Sequence, residues 1–479
     1  MAVAADLFEI LWVISIFGAV LTVPSVLINR RARPVAAASW LLALFAMPPA
    51  ALAAWWLVGR THLKRRRRLR REASEEIGAA LSREHARACK DAKGSGTTSR
   101  LVPSLPAPLG DSVFPPADGN RVELLPDTRA THKVWARLIG QAQRHIHVFF
   151  FAWHDDTTGR WFLDMLERKA EQGVVVRVLY DAVGCNELPR RFFDSLKVKG
   201  GQVAAFMPVR LLTATPMLNV RNHRKLLIVD GCGAYTGGIN VTDEYLEWQD
   251  IGIEVHGPAV NALQEVFVDD WHFATSEELT AETYFPSLEP VAPPDGGRSA
   301  VCEAIPSGPD QLFNATREVL FLAITQTKRR LWIATPYFIP DEALLMALRA
   351  AVYRGVEVKL FVPGKSDSPL VRRASRVYYA ELLDGGVELF EYQGMLHAKA
   401  ILFDDDNVLI GSANLDIRSF RLNFELSLLT ESIPLSRKLE TWFAEVERCS
   451  IGIDRDTIRQ DSYLAKLTDA LAHLLSPLL

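Results

Sequence analysis

The chain has 479 residues, 49% hydrophobic and 23% charged, which excludes a disordered or collagen-like protein and leaves material for two or three domains. Its net charge of −3 is split: residues 1–71 hold eleven Lys and Arg against Asp6 and Glu9, a balance of +9, so the remaining body carries −12. A body this acidic argues against a general nucleic-acid binder, which needs Lys and Arg to neutralise phosphates. Cys89, Cys185, Cys232, Cys302 and Cys449 lie far apart with no C-x-x-C pair, which points to neither a disulfide framework nor a zinc site and suits a reducing compartment.

Two apolar segments open the chain. Leu7 to Ile28 is 22 residues, about 33 Å as a helix, enough for a bilayer core. Val35 to Val58 is 24 residues without a charge, with Trp40 near one end and Trp55-Trp56 near the other, and Pro48-Pro49 in its middle. Together they predict an N-terminal transmembrane helical hairpin, anchoring the protein in the cell (inner) membrane. The basic run Arg60, Lys64 to Arg68, Arg70 and Arg71 places the following chain in the cytoplasm by the positive-inside rule, and it would attract anionic membrane lipids. Arg30, Arg31 and Arg33 between the segments pull the other way, so a re-entrant hairpin with both basic clusters inside is the alternative to two full crossings.

Residues 72–119 read as a polar helix and a Gly/Ser/Pro-rich linker, with globular structure resuming near Asn120. From there short β-branched or aromatic runs alternate with helical periodicity, as in an α/β fold. His145 to Trp153 is a predicted buried strand, Arg160 to Gln172 a helix closed by Gly173, and Val174 to Asp181 the next strand. The order returns with strand Arg330 to Phe338, helix Glu342 to Arg354 closed by Gly355, and strand Val356 to Pro363, 182 residues later. The expectation is two similar fused lobes, residues 120–285 and 286–479, each a mixed sheet flanked by helices, divided within the Pro- and Gly-rich stretch between Thr275 and Ser307.

Each lobe holds one H-x-K-x4-D run followed at the same offset by a glycine-bearing turn and an asparagine. His223, Lys225 and Asp230 precede Gly237-Gly238-Ile239-Asn240; His397, Lys399 and Asp404 precede Gly411-Ser412-Ala413-Asn414. One such run arises by chance on the order of a few hundredths of a time in a chain like this, so a duplicated match is a strong signal. In an extended strand His and Lys two apart share a face, so imidazole and ammonium converge on one ligand. The glycines admit backbone near an anion, and Asn240 and Asn414 offer amide donors to a substrate phosphate. Two lobes face to face would surround one phosphodiester with two imidazoles, two ammoniums and two amides, a phosphoryl-transfer site with no metal or other cofactor. Asp230 and Asp404 complete the candidate catalytic set; five steps beyond the lysine they turn away from the phosphate, which leaves open a role in holding the lobe interface or the lysine. His145, His147 and His256 read as structural imidazoles.

The repeated H-x-K-x4-D-x6-G-[GS]-x-N resembles the phospholipase D superfamily, and within it the bacterial cardiolipin synthase family. The similarity extends to Arg33, Pro34 and Trp40 with Pro48-Pro49, to Trp248 and Asp250, Gly257 to Val260, Asp270-Trp271, Thr335 to Asp341, Gly411 to Glu425 and the terminal Ser-Pro-Leu-Leu, leaving out residues 72–118. The resemblance implies a phosphatidyltransferase that condenses two phosphatidylglycerols into cardiolipin and glycerol through a phosphohistidine. A hydrolase of the phospholipase D type, or transfer to another acceptor such as phosphatidylethanolamine, is the alternative. It also implies that one motif histidine attacks phosphorus while the other protonates the leaving oxygen, and that a downstream carboxylate orients each imidazole, Asp250 for His223 and Glu425 for His397. Its partners would be phosphatidylglycerol and cardiolipin, with no nucleic acid, and the oligomeric state stays open.

Overall fold

The computed structural model describes residues 2–31, 34–59, 113–208, 220–292, 297–311, 313–460 and 462–474. Arg33, the basic run from Arg60 to Arg71, the polar helix and most of the linker expected before residue 113, and the terminal Ser-Pro-Leu-Leu lie outside them. The chain forms two units, an N-terminal helical one and a large α/β one.

In the helical unit α1 (Ala2–Asn29) is 28 residues, about 42 Å, and is long and apolar enough to cross a membrane. The second apolar segment is not the single helix expected over 35–58. It divides at Met47 into α2 (Pro34–Ala46) and α3 (Pro48–Ala54), the latter running on into one π-helical turn, Trp55–Gly59. Met47 adopts φ −140° and ψ 66°, because a residue before proline is driven out of the helical region and Pro49 has no N–H to give. The 13 residues of α2 reach about 20 Å, short of a bilayer core. From the break the chain doubles back along α1: Trp56 Nε1 donates to Thr22 Oγ1 and Trp55 Nε1 to Ser25 Oγ, each at 3.3 Å, and Arg30 Nη2 donates to the Gly59 carbonyl at 2.9 Å. The start and finish of the α2–α3 hairpin therefore sit together at the C-terminal end of α1. Ala19, Val26, Ala37, Leu44, Ala51 and Trp55 form its apolar seam.

The α/β unit contains β1 (Ala117–Leu125), β2 (His145–Phe150), β3 (Val175–Asp181), β4 (Gln202–Phe206), β5 (Arg221–Asn222), β6 (Leu226–Val229), β7 (Gly233–Gly237) and β8 (Gly252–His256). The second copy supplies β9 (Ala300–Ser307), β10 (Arg330–Ala334), β11 (Phe338–Ile339), β12 (Glu357–Pro363), β13 (Glu388–Tyr392), β14 (Ala400–Phe403), β15 (Asn407–Gly411), β16 (Leu415–Asp416), β17 (Asn423–Glu431) and β18 (Ser450–Ile453). The two lobes share one continuous sheet. Its order, β4-β3-β2-β6-β7-β8-β1 and then β9-β17-β15-β14-β10-β12-β13-β18, reads the same outward from the central antiparallel pair β1 and β9, except that the second half adds β18, antiparallel to β13, at its edge. In each half the outer strands are parallel (β2-β3-β4, β10-β12-β13) and the inner ones antiparallel, a mixed sheet as expected.

The two predicted helices fall where the periodicity put them, but two strands are shorter than expected: β2 stops at Phe150 instead of Trp153, and the run Arg330 to Phe338 divides around Pro336 into β10 and β11, the latter pairing with β16 outside the main sheet. The helices Thr157–Glu171 and Glu342–Tyr353 start on Asp156 and Asp341, whose carboxylates accept the N–H of Gly159 and Leu344, and they end just before Gly173 and Gly355, which take the left-handed φ of 84° and 86°. β2 is buried along its whole length, so the run HIHVFF shows no alternation. Around it Trp135 packs edge-on against Phe150, Phe162 and Tyr235 at 5.1–5.2 Å, the centre of the first core. A separate core lies under the second half-sheet. One boundary moves: the last residues of the expected linker, 113–119, are built into the fold. Phe114 N–H donates to the Ala304 carbonyl, Val113 packs in the second lobe's core, and β1 begins at Ala117.

Candidate active site

Both H-x-K runs lie immediately before an inner strand, β6 or β14, and each is held by the other lobe. β5 pairs in parallel with the start of β17, and His223 N–H donates to the Phe424 carbonyl at 2.8 Å. Reciprocally, His397 N–H donates to the Gln249 carbonyl and Gln249 N–H to the Met395 carbonyl, at 2.8 and 2.9 Å. Arg224, between His223 and Lys225, strengthens the first clamp by donating to the Glu425 carbonyl at 3.1 Å and pairing with Asp270 at 2.8 Å.

This exchange decides which carboxylate meets which imidazole, and it reverses the expected assignment. Glu425 Oε2 lies 3.2 Å from His223 Nδ1, and Asp250 Oδ2 lies 2.6 Å from His397 Nδ1. Asp250 and Glu425 each meet the histidine of the opposite lobe, because β17 and the segment before β8 carry their carboxylates across the lobe boundary. His223 Nδ1 also faces the Ser412 carbonyl at 3.1 Å; that oxygen can only accept, so Nδ1 carries the proton and Nε2 keeps its lone pair. One of the two differences between the glycine-bearing turns, Gly238 against Ser412, serves these carboxylates. A Cβ at Gly238 would stand 2.2 Å from Asp250 Oδ1, whereas Ser412, at the equivalent position, donates its hydroxyl to Glu425 Oε2 at 2.5 Å. Ile251 N–H and Asn423 Nδ2 supply further donors, to Asp250 at 2.7 Å and Glu425 at 3.0 Å.

Lys225 and Lys399 share the face of their histidines, as the spacing predicts. Each Nζ turns back to its histidine's carbonyl at 2.6 Å, and Lys399 Nζ lies 2.8 and 3.0 Å from the two ring nitrogens of His397. Both lysines are buried, and burial lowers them to about 7 for Lys225 and about 8 for Lys399. Burial also holds both imidazoles below their ordinary value, with the neighbouring lysine adding to it. The two carboxylates diverge. Burial pushes Asp250 up to about 7 against the pull of Lys399, while for Glu425 burial is outweighed by His223, Lys225 and the Ser412 hydroxyl, which together hold it below its ordinary value. The two pairs therefore differ in their carboxyls, raised at Asp250 beside His397 and depressed at Glu425 beside His223. Phe151 packs edge-on to His223 at 4.8 Å, and Tyr245 and Trp248 flank His397 at 5.2 Å.

Asn240 and Asn414 are buried in this cluster. Asn240 Oδ1 accepts the Ala152 N–H at 3.1 Å and its Nδ2 donates to Tyr245 Oη at 2.6 Å; Asn414 Nδ2 donates to Asp416 Oδ2 at 3.2 Å. Asp230 and Asp404 do not belong to the site. They lie at the far ends of β6 and β14, about 16 Å of extended chain beyond their lysines. Asp230 accepts the N–H groups of Gln143, Arg144 and His145, and Asp404 those of Lys328, Arg329 and Arg330. Both take a left-handed φ, 54° and 52°, in the turn to the next strand. Their work is to tie that turn to the start of β2 or β10, so neither holds the lobe interface or the lysine. Ser412, Asn423, Arg224 and Tyr245 are support residues that the motif reading passed over; the Gly-to-Ser change between the two copies was the visible signal for Ser412. Of the histidines read as structural, His147 Nδ1 bonds to Gln264 and stacks on Phe267, His256 pairs with Glu254, and His145 is buried against Tyr284. Among the described residues no three His, Cys, Asp or Glu gather as metal ligands.

The family described as "Cardiolipin synthase, PLD-like domain" matches residues 136–271 and 320–446, one match per lobe and together more than half of the chain. The chain belongs to this family. It is 36% identical to a cardiolipin synthase A of Pseudomonas putida over 478 residues, covering 98% of each chain, and 33% identical to a cardiolipin synthase of Alkalihalophilus pseudofirmus over 485 residues, covering 98% of this chain and 95% of that one. Among solved structures, the phosphatidylserine synthase of Haemophilus influenzae shares the fold, with a TM-score of 0.57 and 16% identity over 74% of this chain and 93% of that one. Family membership gives each lobe the same ancestry, in agreement with the mirrored sheet.

Proposed function

We propose that the protein is a cardiolipin synthase acting at the membrane, transferring a phosphatidyl group between two phosphatidylglycerols by way of His223. The observation that carries the assignment of roles is the Ser412 carbonyl on His223 Nδ1, which leaves Nε2 free to attack. In the first half-reaction a bond forms from Nε2 to phosphorus, the bond from phosphorus to the glycerol oxygen breaks, and His397 supplies the proton that glycerol carries away. The raised carboxyl of Asp250, 2.6 Å from His397 Nδ1, supports giving this pair the role of the acid. In the second half-reaction His397 takes a proton from the glycerol hydroxyl of another phosphatidylglycerol, that oxygen attacks phosphorus, and the bond to His223 breaks, releasing cardiolipin. Lys225 and Lys399, with the amides of Asn240 and Asn414, stabilise charge on the phosphoryl oxygens, strongly because they are buried. The same burial favours a lipid hydroxyl over bulk water as acceptor.

In the anchor, α1 crosses the bilayer and α2–α3 enters and leaves by one face, so Arg30 and Arg31 share that face with the basic run that begins after Gly59. Both clusters then obey the positive-inside rule, with the catalytic body cytoplasmic and drawn to anionic lipid. The deciding experiment incubates the detergent-purified protein with phosphatidylglycerol and identifies the products by mass spectrometry. Cardiolipin and glycerol in equal amounts are expected; phosphatidic acid and glycerol would mean a hydrolase, and product only on adding phosphatidylethanolamine would mean another acceptor.

A further inference from the structure

The helix Tyr463–Leu474 is built inside out. Its inward residues are Asp469 and Ala472, and the inner contacts are polar: Asp469 receives Arg373 and Arg376 at 3.2 and 3.3 Å, and Thr468 accepts from Arg373 at 2.8 Å. Its outward residues are Tyr463, Leu464, Leu467, Leu471 and Leu474, exposed by 82, 67, 41, 54 and 73%. At 3.6 residues per turn these five share an arc of about 100°. A helix facing water carries such a stripe on its inner side, so this one is patterned for an apolar exterior.

Its position says which exterior. Ala472 packs with Ile339, Val371 and Ala374, and Tyr337 and Ile417 close over the same cluster. Tyr337 donates its hydroxyl to Asp367 at 2.6 Å, and the charge of Asp367 acts on both His397 and Lys399. Ile339 pairs with Asp416, the partner of Asn414. The helix thus packs, by the side opposite its leucines, on residues that adjoin the second-lobe part of the site. Tyr463, at one end of the stripe, has the amphipathic ring suited to a head-group boundary.

We propose that the helix Tyr463–Leu474 is an interfacial membrane helix, whose leucines enter the bilayer surface and hold the active-site rim against the phospholipid layer. The choice of occupant rests on the lipid substrate proposed above. A diacyl lipid whose head group must reach His223 and His397 is most easily delivered where the rim touches the membrane. The stripe is in this view the second point of attachment of a protein already tethered by α1, and its task is orientation.

The test uses the full-length protein with its native cysteines replaced by serine and Leu471→Cys carrying an environment-sensitive fluorophore, reconstituted in phosphatidylglycerol-containing vesicles. Blue-shifted emission, quenched by lipids bearing a nitroxide high on the acyl chain and protected from iodide, is expected. Water-like emission quenched by iodide would overturn the proposal, as would apolar emission insensitive to the nitroxide lipids and dependent on protein concentration, which would mean a second copy covers the face. In parallel, Leu467→Ser with Leu471→Ser should raise the apparent KM for bilayer phosphatidylglycerol about tenfold and leave turnover of dispersed short-chain phosphatidylglycerol unchanged; equal loss on both substrates would count against docking. Nitroxide quenching without any cardiolipin formation would sink the proposed activity and leave the docking intact, so the two failures are distinguishable.

Discussion

Asp250 Oδ2 lies 2.6 Å from His397 Nδ1, and Gln249, the residue before Asp250, accepts the His397 backbone N–H at 2.8 Å. Backbone and side chain of one lobe thus hold the motif histidine of the other. His223 has the same arrangement with Phe424 and Glu425, consecutive on β17.

Removing either carboxylate should therefore disable a histidine it does not share a lobe with. Asp250→Asn and Glu425→Gln are each expected to reduce kcat by about 10²–10⁴-fold with little change in KM, the size seen when the orienting member of a triad is lost. Steady-state kinetics on folded variants checks this, and turnover near that of the wild type in either one would remove the role.

Alanine at one motif histidine or the other should stop the reaction at different points. His397→Ala, given a phosphatidyl donor whose leaving group needs no protonation, is expected to load label onto His223 and to release it slowly, because nothing activates the incoming hydroxyl. His223→Ala should acquire no acid-labile label. The opposite pattern would exchange the two roles.

The pH dependence follows from the unequal pairs. His223 attacks only when neutral, and burial holds it below its ordinary value of 6.5, so the acid limb of kcat/KM is expected below pH 6.5. Loss of the proton of the His397–Asp250 pair, with Asp250 at about 7, and of charge on Lys225 and Lys399, at about 7 and 8, all act in one direction. Activity should fall as pH rises through about 7 to 8, and Asp250→Asn should displace that alkaline limb in the pH–rate profile while leaving the acid limb in place.

Asp404→Ala and Asp230→Ala should behave differently from every change above. Each strips acceptors from backbone N–H groups at a strand start, and a loss of about 1–3 kcal/mol of stability is expected, read as a lower denaturation midpoint. Turnover per folded molecule should stay within about twofold of the wild type.

The anchor makes a labelling prediction. In a variant whose native cysteines are replaced, Arg31→Cys should react with an impermeant maleimide in inside-out vesicles and be protected in spheroplasts. Reaction from the outer face would mean that the second segment crosses the membrane fully.

One helix and the strands on either side of it in each lobe were legible because period, caps and terminal glycines are local features, and the duplication doubled each signal. His223, Lys225, His397 and Lys399 were legible for the same reason. What the sequence could not reveal is anything that depends on the partner lobe. Asp250 follows His223 by 27 positions and Glu425 follows His397 by 28, so proximity along the chain favours the intralobe pairing, and only the passage of β5 onto β17 overturns it. Asp230 and Asp404 share a motif with the catalytic groups, yet a four-residue strand separates them from the chemistry. The interruption of the second apolar segment was visible as Pro48-Pro49, but its consequence depends on Arg30 reaching Gly59.

The mirrored strand order about β1 and β9 has an evolutionary meaning. A half-length ancestor with this sheet would have ended in a naked edge and carried a histidine without its carboxylate, and both deficits are cured at once by a second identical molecule meeting it edge to edge. Joining two such genes in tandem locks in that encounter at every concentration. It then frees the halves to drift apart, as the glycine beside Asp250 and the serine beside Glu425 have done.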